Sequence, residues 1–555
     1  MLFSLPVAEN FVPLPAHKAA ARLMAHPAFV FERAAVMDVK TTFMSANSEN
    51  SKRIAKNTLM LYARMLLLMV ISLYTSRVIL HALGVIDYGV YNVVGGFVGM
   101  FSVVSHSVSA SISRFLTFEL GRKENSRLSE VFAAAITIQL FISAIIVVLA
   151  ETVGLWFLTN KMVIPPERMT AAYWVFHLSV ATFALTLATM PYRAVIIAHE
   201  RMSAFAYITI VDGVMKLVIA FAIQASPVDR LVFYAILMAL VTVMLRAVYG
   251  WYCSRHFKEC VYRLSRDRRL IGEMFSFAGW NYIGATAAVL RDQGGNVVIN
   301  LFAGPAVNAA RGVSMSVNRA VRGFVSNFMT ALNPQITKSY ASGDYDYMMR
   351  LLYQGARLSF YMLLLLSLPI LLNTHYVLDL WLKRVPDHSV LFTQLVLVFT
   401  MSESISHPLI TAQLATGRIR DYQLVVGGLQ MLNFPLSYLF LRLGAIPETV
   451  MIVAIALSQL CFLSRLYMLR SMIRLRPFDY LYKVYFNVIG VTLFSMVLPG
   501  LLRLLLPEEN FFHFFIITIV CLVSTILVIL FVGCSASERK FVYSKVSKLI
   551  MNFKS

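Results

Sequence analysis

Carboxylates are scarce in this 555-residue chain: Asp and Glu total 28 against 49 Lys and Arg, leaving a formal net charge of +21. Charged residues of both signs make up only 14% of it, against ~25% in a soluble domain. So little charge cannot keep a globule of this size in water. Cysteine is scarce too: Cys253, Cys260, Cys461, Cys521 and Cys534 contain no Cys-x-x-Cys pair and suggest no disulfide framework. Cys253, His256 and Cys260 share a basic loop but lack a fourth ligand, so they read as ordinary loop residues and no metal site is expected. Paired aspartates and His-Asp arrangements for acid/base or metal-assisted chemistry are missing. The connections are too short to hold a catalytic domain. Neither an enzyme nor a cofactor is expected. The basic residues lie in small clusters rather than on one dense face, which argues against nucleic acid as a partner.

Apolar residues, at 59%, are what the chain has in abundance. They gather in runs near 58–80, 88–112, 130–158, 170–192, 204–225, 231–252, 272–302, 308–334, 352–373, 389–412, 422–442, 448–468, 484–505 and 512–533. Each is about the 20 residues that a helix needs to cross a bilayer. The pattern predicts an all-α, polytopic, multi-pass membrane protein of about 14 transmembrane helices, with runs seven and eight the least apolar. Residues 1–50 hold Pro6, Pro13, Pro15 and Pro27 and no continuous apolar core, so they make a poor signal peptide. They are expected to be disordered or untranslated, with Met44 as an alternative start.

Basic residues flanking the runs set an orientation. Lys52-Arg53, Arg122 to Arg127, Arg255 to Arg269, Arg418 with Arg420, Arg470 to Arg476, and Arg539 to Lys548 all fall on one side. The other side carries only scattered ones, such as Arg168, Arg230 and Arg503. An even number of spans with both termini cytoplasmic follows, in a bacterial inner membrane with its lipids as surroundings.

An internal repeat is also legible. Pro191 through Ala198 to Phe205 matches Pro408 through Ala415 to Tyr422, and Leu83-Gly84 matches Ala303-Gly304. Ser113 to Thr117 aligns with Pro334 to Lys338. Two parallel six-helix bundles are expected, over 51–262 and 263–476. Residues 477–555 supply two extra helices and a basic cytoplasmic tail.

Three segments carry a family resemblance: Arg53-Ile-Ala-Lys-Asn-Thr-Leu59, Leu83-Gly-Val-Ile-Asp-Tyr-Gly-Val-Tyr-Asn92, and Arg114-Phe-Leu-Thr-Phe-Glu-Leu-Gly121. Through them residues 50–534 resemble the Wzx-type polysaccharide flippases of the multidrug/oligosaccharidyl-lipid/polysaccharide exporter superfamily. The resemblance implies two bundles around a cavity that opens alternately to each side. It also implies a polyprenyl-diphosphate-linked glycan as cargo, a role in O-antigen or similar polysaccharide synthesis, and other polysaccharide-assembly proteins as partners.

Ionisable groups within spans are costly, roughly 2.5–3.5 kcal/mol each on insertion scales, and mark functional candidates. Run one holds Arg64. Run seven holds Arg291 and Asp292, with Asn296 and Asn300 at helical spacing from Asp292. Gly294-Gly295 is expected to bend that helix. Run eight holds Arg311, Asn318, Arg319 and Arg322. These arginines suit a diphosphate, which takes several charge-assisted donors, and the asparagines suit sugar hydroxyls. Each set has a structural alternative, in which the arginines fasten or snorkel. Ser102, Ser105, Ser109 and Ser113 form a stripe in run two that serves helix packing at least as well as cargo contact. Asp212 and Lys216 are spaced for an ion pair; Asp212 and Glu403 are the candidate ion-coupling carboxylates. An ion-coupled drug or small-molecule exporter is the alternative function, but its cavity should be acidic and aromatic.

Overall fold

The computed structural model describes residues 53–540, except 73, 76–77, 80, 85–86, 89, 92–93, 96–97, 99–100, 123–126, 161–163, 227, 262, 383–384 and 537. The extension over 1–50, the alternative start at Met44 and the end of the basic tail lie outside the described residues. Among those residues the chain is helical, with no strand. Helices α1 (Arg53–Ser72) and α2 (Ser102–Gly121) come first. Next are α3 (Leu128–Asn160), α4 (Pro166–Ala198), α5 (Met202–Ala225) and α6 (Arg230–His256). The stretch Arg268–Ala341 is broken at Gly304 (φ 80°, ψ 178°), giving α7 before it and α8 after it. Then follow α9 (Tyr345–Leu372), α10 (Ser389–Ser404, bent by 42° into His407–Thr416), α11 (Arg420–Arg442), α12 (Thr449–Ile473), α13 (Pro477–Leu505) and α14 (Phe511–Gly533).

Every predicted run overlaps one of these helices. Among the described residues ten helices are long and apolar enough to cross a membrane, and α10 makes eleven as a bent pair. The protein is thus a multi-pass membrane protein. Helices α7 and α8, read as the least apolar, fall outside that set, as does α2.

Few carboxylates exist, and several of them start helices. Asp229 accepts the N–H groups of Leu231 and Val232, Asp267 those of Arg269 and Leu270, and Asp344 that of Tyr347. Each such cap satisfies donors that the first turn leaves orphaned, typically for about 1 kcal/mol. The N–H of Leu270, with Arg127 beside it, holds the Asp267 carboxyl below its ordinary range.

The repeat reaches the backbone. Gly84 and Gly304 both lie in the left-handed region, as do Glu200 and Gly417, each nine residues after its matched proline. The two prolines then differ. Pro191 sits within the continuous helix α4, whereas Pro408 opens the second half of α10 just after its bend. The expected bend at Gly294-Gly295 is corrected. The backbone there is helical, and the bare Cα atoms admit neighbours instead. A Cβ on Gly294 would come within 2.7 Å of Phe434, and one on Gly295 within 3.0 Å of Arg311.

At the end away from the basic loops, the first bundle packs around Val94, Val175, Phe176 and Leu231. The second bundle packs around Val298, Phe392, Val396 and Val450. Polar contacts that join the bundles gather toward the end carrying the basic loops. Arg114 donates to the Ala415 carbonyl at 3.0 Å, and Glu200 accepts from Gln335 and Lys338, both at 2.6 Å. Arg127 meets Asp267 at 2.8 Å, and Ser111 donates to the Met274 carbonyl at 2.9 Å. At the other end the described polar contacts stay local. Arg168 bridges Asp87 and Asp229 at 2.6 Å, and His388 meets Glu448 at 2.6 Å.

Candidate functional site

The intramembrane polar residues form two groups. The first is at the junction of the bundles, where α1, α4, α5 and α8 meet. Arg64 lies 11 residues into α1, about 16 Å along it at 1.5 Å per residue. Its Nη2 donates to Asn327 Oδ1 of α8 at 3.0 Å, and its guanidinium lies 4.8 Å from the centre of the Phe205 ring. Arg193 approaches the same ring at 5.7 Å. Its neighbour Tyr192 carries the guanidinium of Arg246 at 4.3 Å and accepts a 3.2 Å hydrogen bond from it. Aromatic faces hold these cations without neutralising them. Among the described residues none of the three arginines pairs with a carboxylate, and Arg193 has no hydrogen-bond partner. Asp212, in α5, is engaged by Lys216 at 2.9 Å.

The second group lies inside the second bundle. Arg291 is 8% exposed, donates to Asp292 and to Glu403 at 3.0 Å each, and lies 5.0 Å from the Phe399 ring. Arg322 stands 3.8 Å from the other Glu403 oxygen. Arg311 donates to the Asp292 carbonyl at 3.1 Å and to the Asn296 side chain. Asn318, 4% exposed, accepts from Thr400 at 2.5 Å. The candidates that the sequence offers on α7 and α8 are therefore largely brought together, along with Glu403, but they are turned into the bundle and joined to one another. Asn300 and Arg319 are exposed, and Arg319 donates to Ser316 at 2.7 Å. Asp212 is far along the chain from Glu403 and belongs to the other bundle.

A cavity of about 200 Å³ opens beside this network, lined by Arg291, Arg322, Glu403, His407, Gln430 and Arg465 among others. Its wall includes a π-helical turn, Gln423–Gly427. There Gln423 reaches Asn281 at 3.3 Å and fills the space where a Cβ on Gly284 would stand. Such widened turns displace side chains inward and recur at functional sites.

Arg193, Arg246, His407 and Arg465 are not among the candidates that the sequence singled out. The same rule, that an ionisable group inside a span needs a reason, would have found Arg246 and Arg465 in runs six and twelve. The serine stripe has a packing role in part: Ser105 donates to the Met190 sulfur at 3.3 Å. His256 is exposed and stacks on Tyr252, with ring centres 4.2 Å apart.

No protein-family model matches the chain, and no curated protein matches it. Solved structures do. The outward-facing conformation of a multidrug resistance MATE family transporter of the MOP superfamily aligns with a TM-score of 0.66 at 12% identity, covering 77% of this chain and 96% of that one. A MATE structure in the straight conformation gives 0.65 at 12% identity over 77% and 97%. A MOP superfamily transporter from Pyrococcus furiosus, described by the reverse polarity of its binding pocket, gives 0.63 at 11% over 76% and 96%. The fold is that of the MATE transporters, and these neighbours are transporters rather than enzymes.

Proposed function

We propose that this protein moves anionic lipid-linked glycans of the polyprenyl-diphosphate type from the inner to the outer leaflet of the cytoplasmic membrane, for cell-envelope polysaccharide synthesis. The observation that carries the reading is the junction cluster: Arg64 and Arg193 share the Phe205 ring where the bundles meet, Arg246 stacks on the neighbouring Tyr192, and all three lack carboxylate partners among the described residues. A diphosphate supplies the missing charge and accepts several guanidinium donors at once. The headgroup enters the junction while the polyprenyl tail stays in the bilayer. The bundles then rock about the junction, and the contacts at the basic-loop end part and re-form.

By the distribution of basic residues that end faces the cytoplasm, so the bundles are joined on the cytoplasmic side, as in an outward-facing state. Arg319, on α8, would follow the glycan as it passes, with Asn300 offering an amide to its hydroxyls. A cationic drug would instead need free carboxylates, and the nearby Asp212 already has Lys216. Pocket polarity of the opposite sign within this fold is also how the Pyrococcus furiosus structure is described.

The test is trans-bilayer movement of a fluorescent polyprenyl-diphosphate oligosaccharide in proteoliposomes of the purified protein, beside the same glycan on a neutral polyprenol. Protein-dependent movement of the diphosphate form alone is expected. Movement of neither form, across several glycans and with an imposed ion gradient, would turn the assignment toward an exporter of soluble compounds.

A further inference from the structure

We infer that the cavity inside the second bundle is a binding site for a free small anion, separate from the cargo site at the junction. Charge balance motivates this. Arg291, Arg311 and Arg465 converge on one bundle interior with the half-exposed Arg322 at its edge, and among the described residues the carboxylates lining it are Glu403 and Asp292. Arg291 takes up the better part of both: it donates to each at 3.0 Å. Arg322 reaches Glu403 only at 3.8 Å, beyond a hydrogen bond.

Arg465 is the least satisfied. It is 4% exposed, and Tyr422 accepts from its Nε at 3.3 Å. Among the described residues its two Nη groups have no partner, and the residue lines the cavity. A buried guanidinium left in that condition is strongly destabilising unless a counter-charge reaches it. Arg465 and Arg322 flank the space, and His407, Gln430 and Asn281 line it as further polar groups. A second sign of an unfilled polar role is Asn433. It is 1% exposed, and neither its Oδ1 nor its Nδ2 has a partner. It lines an adjoining space that shares Arg291, Glu403 and Gln430 with the cavity.

About 200 Å³ holds several waters at ~30 Å³ each, so a chloride or nitrate ion fits with part of its hydration shell. Glu403 also lines the cavity but is taken up by Arg291 at 3.0 Å, and it makes no hydrogen bond with Arg465 among the described residues. A bound anion here would brace α8, α10 and α12 against one another and change the charge that moves with the bundle.

The experiment uses the full-length protein in detergent, with thermal unfolding followed as chloride replaces gluconate at constant sodium and ionic strength. A saturable rise in Tm is expected, with bromide and nitrate able to stand in for chloride. Arg465→Gln should raise the half-saturating concentration at least about tenfold, since a charge-assisted donor is lost. Arg322→Gln should raise it less, and Arg193→Gln should leave it unchanged. No anion-specific rise in the wild-type protein overturns the proposal. So does a rise that Arg193→Gln abolishes, which places the anion at the junction. If Arg465→Gln does not fold, the half-exposed Arg322→Gln decides: an unaltered half-saturation in that variant also overturns it. None of these results depends on which cargo the protein moves.

Discussion

The two bundles treat arginine differently. In the first, Arg64, Arg193 and Arg246 rest on Phe205 and Tyr192 and meet no carboxylate among the described residues. In the second, Arg291 is locked between Asp292 and Glu403, and Arg311 is tied to Asn296 and the Asp292 carbonyl. A carboxylate partner makes an intramembrane arginine part of the framework. A ring partner leaves its charge available. On the proposed function, stability therefore falls to Arg291 and Arg311 and cargo to the arginines at the junction, although all carry the same cost of insertion.

The hardest break of this contrast is Glu403→Leu. It leaves Arg291 buried with half its counter-charge and should destabilise the protein by about 3 kcal/mol, seen as a lower Tm and less folded protein in detergent. Adding Arg291→Met should recover most of that loss; no recovery would show that Glu403 acts through other partners. Arg193→Gln should do the opposite. Stability should stay within ~0.5 kcal/mol, while transport of the diphosphate glycan falls about tenfold, the value of one charge-assisted contact. Arg193→Lys should restore less than its charge alone suggests, because the planar fork is lost.

A smaller effect is expected at the basic-loop end. Glu200 is a non-glycine residue at φ 59°, and its side chain holds both Gln335 and Lys338. Glu200→Gln keeps the shape but drops the charge. Labelling of Ser111→Cys, a position 1% exposed against Met274, should then quicken about fivefold, as for ~1 kcal/mol of population shift. An unchanged rate would mean that Glu200 does not bias opening. The smallest effect belongs to Asp212→Asn. Its partner Lys216 is 42% exposed, so a change of no more than ~0.5 kcal/mol in stability and under about twofold in transport is expected. A large transport defect would restore Asp212 as a coupling carboxylate.

The fold was legible because run length and polarity are strong signals in a bilayer. Even the break at Gly304 showed, through its match to Gly84. The site was legible in part. Arg64, Arg291 and Glu403 stood out as charges within apolar runs, but a linear sequence does not say whether Arg291 faces lipid, cargo or a carboxylate 112 residues away. Gly294-Gly295 misled for a related reason: a glycine pair suits a kink or a close approach, and Phe434 and Arg311 decide for the second. Arg193 escaped notice because it follows Pro191, which read as a landmark of the repeat. Its role depends on Phe205, a residue of the next helix.

The central claim is that the diphosphate is held at the junction and not within the second bundle. Its most direct test is an experimental structure of the protein bound to a polyprenyl-diphosphate glycan. Headgroup density between Arg64, Arg193 and Arg246 is predicted, with the Arg291–Glu403 pair intact. A diphosphate seated against Arg291 and Arg311, with that pair broken, would contradict it.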